Sequence, residues 1–297
     1  MSTSGELGRR LSLRFAAVEE SAHHWLREAE IGMSAMAEWT ESRMQLDGCE
    51  ISLRQGGRGP TVLFLHGASG AGPWAPFHDA LAERFHVLAP SHPGFDDSED
   101  PPWLDNIADL ANFYHDFLKH LDLRNVNLVG LSLGGWVAAE MAVRDTSRLA
   151  TVTLMCAAGI HVKDVPQFDM FLVSPEERAR RMFHDPAKAE AIVERVSDPA
   201  NADLVMKNQE ATARLIWQPR AYDPHLRKWL HRIDRPTLAL WGESDPLFPP
   251  AYAKAYAELI PGAKAVVLEA CGHLPNLEQP QAASAAIIEF IGGANAG

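Results

Sequence analysis

The sequence predicts an α/β protein: a mostly parallel central sheet flanked by helices, with a helical insertion between two of its strands. Three observations carry that expectation. Short apolar runs bounded by Gly or Pro recur along the chain, amphipathic helical patterns separate several of them, and one stretch, 159–234, contains no strand-like run. Strands covered on both faces read as near-continuous apolar runs, and alternation with helices puts those helices on the two faces of the sheet. At 297 residues, 46% of them hydrophobic, the chain is long enough to bury such a sheet.

The elements follow in order. Phe15, Val18, Ala22, Trp25 and Ala29 recur every three or four residues with charged residues between them, which predicts a helix over residues 10–43. Residues 1–44 are therefore expected to form an N-terminal helical arm. Its apolar stripe must be buried, either on its own domain or against a second copy of the chain, so a homodimer through this helix is one expected partner. From Met44 the texture turns to strands. Cys49–Arg54 is followed by a turn at Gly56–Pro60 and then by the runs Thr61–Leu65, His86–Ala89, Asn125–Val129, Thr151–Cys156, Thr237–Trp241 and Ala265–Leu268. Leu104, Ile107, Leu110, Tyr114, Phe117 and Leu121 mark one helical face, and Ala282–Ile291 a C-terminal helix. The core is thus expected over 45–158 and 235–297, and the insertion over 159–234.

Charge and cysteine usage narrow the function classes. Twenty-seven basic residues against 39 acidic ones give a net charge of −12, which provides no basic face for a nucleic acid. No run approaches the roughly 18 apolar residues that a membrane span requires. Cys49, Cys156 and Cys271 are odd in number and widely spaced, which implies neither a disulfide framework nor a zinc site. Reduced thiols in a cytoplasm are the expectation. Arg9-Arg10 is followed by charged residues rather than an apolar segment, so no export signal is expected there. No His, Cys or Asp spacing calls for a metal, and no organic cofactor is expected.

Chemistry enters at Gly130-Leu131-Ser132-Leu133-Gly134, which fits G-x-S-x-G after a strand and before a helical pattern. A nucleophile on so sharp a strand-to-helix turn needs flanking glycines for the chain to pass without clashes. A serine needs a base to take its proton. Of 13 histidines, His273 stands out, in Cys271-Gly272-His273-Leu274-Pro275 after the last strand, whereas His115, His120 and His231 lie on segments expected to face solvent. Carboxyl ends of parallel strands are where such sheets place their sites. Asp245, just after the strand Thr237–Trp241, is the expected orienting acid, with Glu243 and Asp164 as rivals. The oxyanion donors are expected to be the backbone N–H groups of Leu133 and of Ala68, with Ser69 as the alternative to Ala68. His66 reads as a structural hydrogen-bonder of its loop.

With these parts in the order Ser132, Asp245, His273, residues from about 45 to 292 resemble the α/β-hydrolase superfamily with an inserted lid. The matching runs are Leu65-His66-Gly67, Ser91-His92-Pro93-Gly94-Phe95 with Ser98, Gly130–Gly135, Trp241–Pro246 and Gly272–Glu278. Residues 1–44 lie outside the resemblance. It implies a serine hydrolase, because the dehalogenase and epoxide-hydrolase branches need a carboxylate at the position of Ser132 and the polyester synthases a cysteine.

The favoured activity is carboxylic ester hydrolysis of a small, apolar substrate through an acyl-enzyme. Hydrolysis of carbon–carbon bonds in ring-cleavage products is the alternative, although those enzymes often carry an aromatic residue where Leu274 follows His273. Met170, Phe171 and Trp217 of the insertion either pack it onto the core or line an apolar substrate pocket. Arg178, Arg180, Arg181 and Arg214 are expected to form a solvated charged face, with a grip on a substrate carboxylate as the functional alternative. A small-molecule receptor of the same fold, or an interaction protein working through the N-terminal helix, are the readings from other classes. A binder has no physical need to keep Ser132, Asp245 and His273 together.

Overall fold

A computed structural model describes residues 38–294 of the chain. Its strands are β1 (Trp39–Leu46), β2 (Cys49–Gly56), β3 (Thr61–Leu65), β4 (His86–Pro90), β5 (Val126–Leu131), β6 (Leu149–Met155), β7 (Thr237–Gly242) and β8 (Lys264–Leu268). The helices are α1 (Pro76–Ala82), α2 (Ile107–His120), α3 (Leu133–Arg144), α4 (Pro175–Arg181), α5 (Glu190–Ser197), α6 (Ala202–Ile216), α7 (Ala251–Leu259), α8 (Pro275–Glu278) and α9 (Pro280–Ala294).

The strands form one sheet in the order β1-β2-β4-β3-β5-β6-β7-β8. β1, β2 and β4 pair antiparallel and every other pair is parallel. The chain runs from β3 outward to β4 on one side and returns to β5 on the other. That reversal lies at the carboxyl ends of β3 and β5, the place where open α/β sheets take ligands. β5 and β7 are buried along their whole length, and the polar side chain inside β5, Asn127, donates to the Thr61 carbonyl and accepts the Thr151 hydroxyl. The Asn106 side chain caps α2 by accepting the N–H groups of Ala108 and Asp109, and α2 buries the stripe from Ile107 to Leu118.

Two expectations need correction. The helix expected to reach residue 43 does not: Trp39–Leu46 is β1, paired from Trp39↔Gly56 to Leu46↔Cys49. The two-residue turn Asp47-Gly48, with φ of 52° and 72°, reverses the chain into β2 and sets that register. Trp39 then stacks on Trp74 with ring centroids 5.7 Å apart. The rest of the expected arm, residues 1–37, and any homodimer through it lie outside the described residues. The run Ala265–Leu268 does form a strand, but not a covered one. β8 is last in the sheet order, and Val266 and Val267 are exposed.

Between β6 and β7 the chain forms α4, α5, α6 and short 3₁₀ turns, with only an isolated bridge between Gly159 and Tyr222. Among the described residues no helix is long and apolar enough to cross a membrane.

Candidate active site

Ser132 sits between β5 and α3 with φ 54° and ψ −112°, a conformation a residue with a Cβ adopts only under constraint. Three backbone hydrogen bonds impose it. The Ser132 N–H donates to the Met155 carbonyl at 2.8 Å, and the Ser132 carbonyl accepts from Trp136 at 3.1 Å and Ala158 at 3.0 Å. Glycine is needed beside it, since a Cβ on Gly134 would lie 2.2 Å from the Leu65 carbonyl oxygen.

The register of the parallel strands brings their carboxyl ends level, with Leu65↔Gly130, Leu131↔Met155 and Gly242↔Leu268 as neighbours. Ser132, Asp245 and His273 therefore meet. His273 Nε2 lies 2.9 Å from Ser132 Oγ and its Nδ1 lies 2.8 Å from Asp245 Oδ2. With Nδ1–H donating to the carboxylate, Nε2 is left to accept the serine hydroxyl proton. The other oxygen of Asp245 accepts the N–H groups of Leu247 and Phe248, both at 2.9 Å. All three side chains are buried, Ser132 being only 7% exposed. The rival acids are elsewhere: Glu243 is exposed and accepts the Ala270 N–H, and Asp164 is exposed in the insertion.

The loop after β3 abuts the serine, because a Cβ on Gly67 would lie 3.3 Å from Ser132 Cβ. Among the described residues neither the Ala68 nor the Leu133 N–H has a hydrogen-bond acceptor. His66 is a structural group, as the sequence implied. Its Nδ1–H donates to the Gly67 carbonyl at 2.7 Å, and its Nε2 accepts the His92 N–H at 2.9 Å. His92 in turn donates from Nε2 to the His66 carbonyl and accepts the Tyr114 hydroxyl proton at Nδ1. Burial holds both imidazoles neutral, lowering the pKa of His66 and lowering that of His92 well below 6.5. His78, packed against Phe64 and Trp74, is lowered by burial to about 4.

These shifts have a definite sign. Each imidazole titrates near 6.5 in the unfolded chain and lower in the folded one, so below about 6.5 the unfolded chain binds more protons. Stability is therefore full above that pH and falls as pH drops from about 6.5 towards 4. Urea midpoints measured between pH 7.5 and 4.5 are expected to show this fall, and His78→Gln is expected to flatten it. An unchanged slope in the variant would count against His78 as a contributor.

Glu278, quoted in the sequence only as part of a motif, ties the His273 loop to the insertion. Its buried carboxylate accepts the N–H groups of Gly272 at 2.6 Å, His184 at 3.1 Å and Asp185 at 2.9 Å, while the His273 N–H donates to the Met182 carbonyl at 2.7 Å. Glu278→Ala leaves these three donors without their acceptor and is expected to cost about 3 kcal/mol of stability, read by chemical denaturation. A loss under about 0.5 kcal/mol would show that water replaces the carboxylate.

Folding also assembles a group that spacing did not announce. Cys156, Asp245 and His273 offer donor atoms within 4.8 Å of one another. Asp245 and His273 are already bonded to each other. Burial first, and then the Asp245 charge, raise the Cys156 thiol well above 9, so it stays protonated beside the carboxylate. Its position directly after β6, level with Ser132, was the available signal.

The insertion residues divide. Met170 is buried, while Phe171 packs edge-on against Trp217 at 5.1 Å, and Trp217 is half exposed under the Arg220 guanidinium. Arg180, Arg181 and Arg214 pair with Glu190, Glu177 and Asp100. Arg178 has no such ion pair among the described residues, and burial lowers its pKa. His120 and His231 face solvent as expected, whereas His115 is half-buried and bonds the Met141 carbonyl.

A family model described as alpha/beta hydrolase fold matches residues 60–280. The chain belongs to the alpha/beta hydrolase superfamily and by that membership is a hydrolase. It is similar to the 2-hydroxy-6-oxo-6-(2'-aminophenyl)hexa-2,4-dienoic acid hydrolase of Metapseudomonas resinovorans, with 24% identity over 90% of this chain and 96% of that one. It is also similar to monoacylglycerol lipase abhd6-A of Xenopus laevis, with 25% identity over 82% of this chain and 78% of that one. Among solved structures, a membrane phospholipase A described as a bacterial virulence factor superposes with a TM-score of 0.73, at 25% identity over 97% of this chain and 98% of that one.

Proposed function

We propose that the protein is a serine hydrolase that cleaves a carboxylic ester of a small, apolar substrate through an acyl-enzyme. The relay from Ser132 Oγ to His273 Nε2, and from His273 Nδ1 to Asp245, carries this reading. As Oγ attacks the ester carbonyl, its proton passes to Nε2, and Asp245 steadies the imidazolium. The N–H groups of Leu133 and Ala68 stabilise the oxyanion, a contribution of about 3 kcal/mol per donor. Nε2–H then protonates the departing alcohol. Water, deprotonated by His273, attacks the acyl carbon and releases the acid and Ser132. Met170, Phe171 and Trp217 of the insertion are assigned to substrate binding. A fluorophosphonate probe is expected to label Ser132, with turnover of a short p-nitrophenyl ester abolished by that label; neither occurring would refute the proposal.

Carbon–carbon bond hydrolysis is the second reading, supported by the nearly full-length similarity to the dienoic acid hydrolase. Here Arg178, half-buried and without an ion pair among the described residues, would take the substrate carboxylate. Cleavage of a vinylogous 1,5-diketone acid at a higher kcat/KM than p-nitrophenyl acetate would favour it, and Arg178→Met would then raise KM for that acid alone.

A further inference from the structure

One face of α6 is bonded to the loop that follows β3. Asn208 and Thr212 are both buried and lie one helical turn apart on that face. The Thr212 hydroxyl donates to the Ala68 carbonyl at 2.8 Å. Asn208 Nδ2 donates to the Ser69 carbonyl at 3.2 Å and to Asp96 Oδ1 at 2.9 Å, while its Oδ1 accepts the Asp96 N–H at 2.8 Å. The Asp96 carboxylate also accepts the Ala71 N–H at 2.6 Å and the Ser91 hydroxyl at 2.9 Å. There is no slack at this point, since a Cβ on Gly70 would lie 2.3 Å from Asp96 Oδ1 and 2.5 Å from Asn208 Nδ2.

The segment held this way, Gly67-Ala68-Ser69-Gly70-Ala71-Gly72, has three glycines in six residues. Such a sequence loses much conformational entropy when it is ordered and has little side-chain packing of its own to offset that loss. An oxyanion donor helps a transition state only if it is already fixed where charge develops. The bonds that fix Ala68 and Ser69 come from the insertion, not from the sheet.

We propose that Asn208 and Thr212 are positioning residues that hold the Ala68 peptide against Ser132, so that α6 completes the oxyanion-binding half of the site. The proposal rests on the serine-hydrolase reading above. It makes the α6 side of the insertion a fixed part of the machinery rather than a cover that leaves between turnovers.

Thr212→Val replaces the hydroxyl by a methyl group that cannot donate and is the direct test. It is expected to lower kcat roughly tenfold to a hundredfold, with KM changed less than about twofold, because misplacing a group by a fraction of an ångström acts on the transition state. Thr212→Ser keeps the hydroxyl and is expected to restore most of the rate. Affinity for a trifluoromethyl ketone, which forms a tetrahedral oxyanion on the serine, is expected to fall in parallel with kcat/KM. Affinity for the corresponding methyl ketone is expected to stay unchanged. Asn208→Ala gives the same readout independently should Thr212→Val fail to fold, with melting temperature as the control on both. Folded variants with wild-type kcat and wild-type trifluoromethyl ketone affinity would overturn the positioning role. A wild-type protein without ester turnover or Ser132 labelling would instead overturn the hydrolase reading, so the two failures are distinct.

Discussion

Ser132→Ala is expected to reduce ester turnover by about five to six orders of magnitude while leaving the fold intact. Replacing the hydroxyl by hydrogen removes the attacking atom, and the methyl group fits the same backbone because the strain at φ 54° is imposed by hydrogen bonds to Met155, Trp136 and Ala158 rather than by the side chain. His273→Ala should cost as much, since Ser132 then has no acceptor for its proton. Asp245→Asn should lower kcat by roughly three to four orders. An amide nitrogen facing Nδ1 would turn the imidazole to the tautomer that protonates Nε2, which can no longer accept from Ser132. The effects are not additive, so the double variant Ser132→Ala/His273→Ala is expected to be no slower than either single one. Steady-state kinetics on a p-nitrophenyl ester, with circular dichroism to confirm folding, reads all four. Ser132→Ala retaining more than about a hundredth of wild-type turnover would rule out the acyl-enzyme route.

Gly242→Ala is expected to have the largest effect on stability. A Cβ on Gly242 would sit 1.9 Å from the Gly272 carbonyl oxygen and 2.5 Å from that of Cys271, both backbone atoms that cannot rotate away. The same place is crossed by the bonds joining the acid turn to the histidine loop: Ser244 N–H to the Cys271 carbonyl at 2.8 Å and Glu243 N–H to the Leu268 carbonyl at 2.9 Å. Relieving the clash pushes residues 271 and 272 outward and carries His273 away from Ser132. The expected cost is more than about 3 kcal/mol, or a melting temperature roughly 6–12 °C lower, with kcat of the folded fraction down about a hundredfold. Gly292→Ala is the control. Nothing lies within 4 Å of its Cβ position in α9, so alanine should stabilise by up to about 1 kcal/mol. Equal melting temperatures for wild type and Gly242→Ala would contradict the close approach.

The contrast between Asp245 and Asn208 shows what kind of information the sequence holds. Asp245 was legible because it belongs to a local pattern: a buried apolar strand, a Gly turn, then the acid. Ser132 and His273 follow the same logic, each at the carboxyl end of a run whose apolar character marks it as a parallel strand. The end of the expected N-terminal helix was misread for the opposite reason. A helical period whose last apolar residue is Ala29 was carried forward to residue 43, whereas the two left-handed residues of the Asp47-Gly48 turn fold Trp39–Leu46 back onto β2 as a strand.

The sequence by itself determined the alternation of strands and helices, the strand-to-helix turn at Ser132, and the chain order of serine, acid and histidine. These are read from periodicity and turn chemistry, which act between residues close in the chain. Only the tertiary structure decided that Asn208 and Thr212 grip the Ala68–Ser69 loop, that Glu278 fastens the insertion to the His273 loop, and that Cys156 rests against Asp245. Each of these contacts joins elements far apart in sequence, and Asn, Thr, Glu or Cys in a helix or loop carries no pattern naming its partner. The partner is fixed when strand register and helix packing bring two buried polar groups within bonding distance, where leaving either unpaired would cost more than the bond itself contributes. Ser132 was visible as a residue in a turn; its bond to His273, and the loop held beside it, exist only in the folded chain.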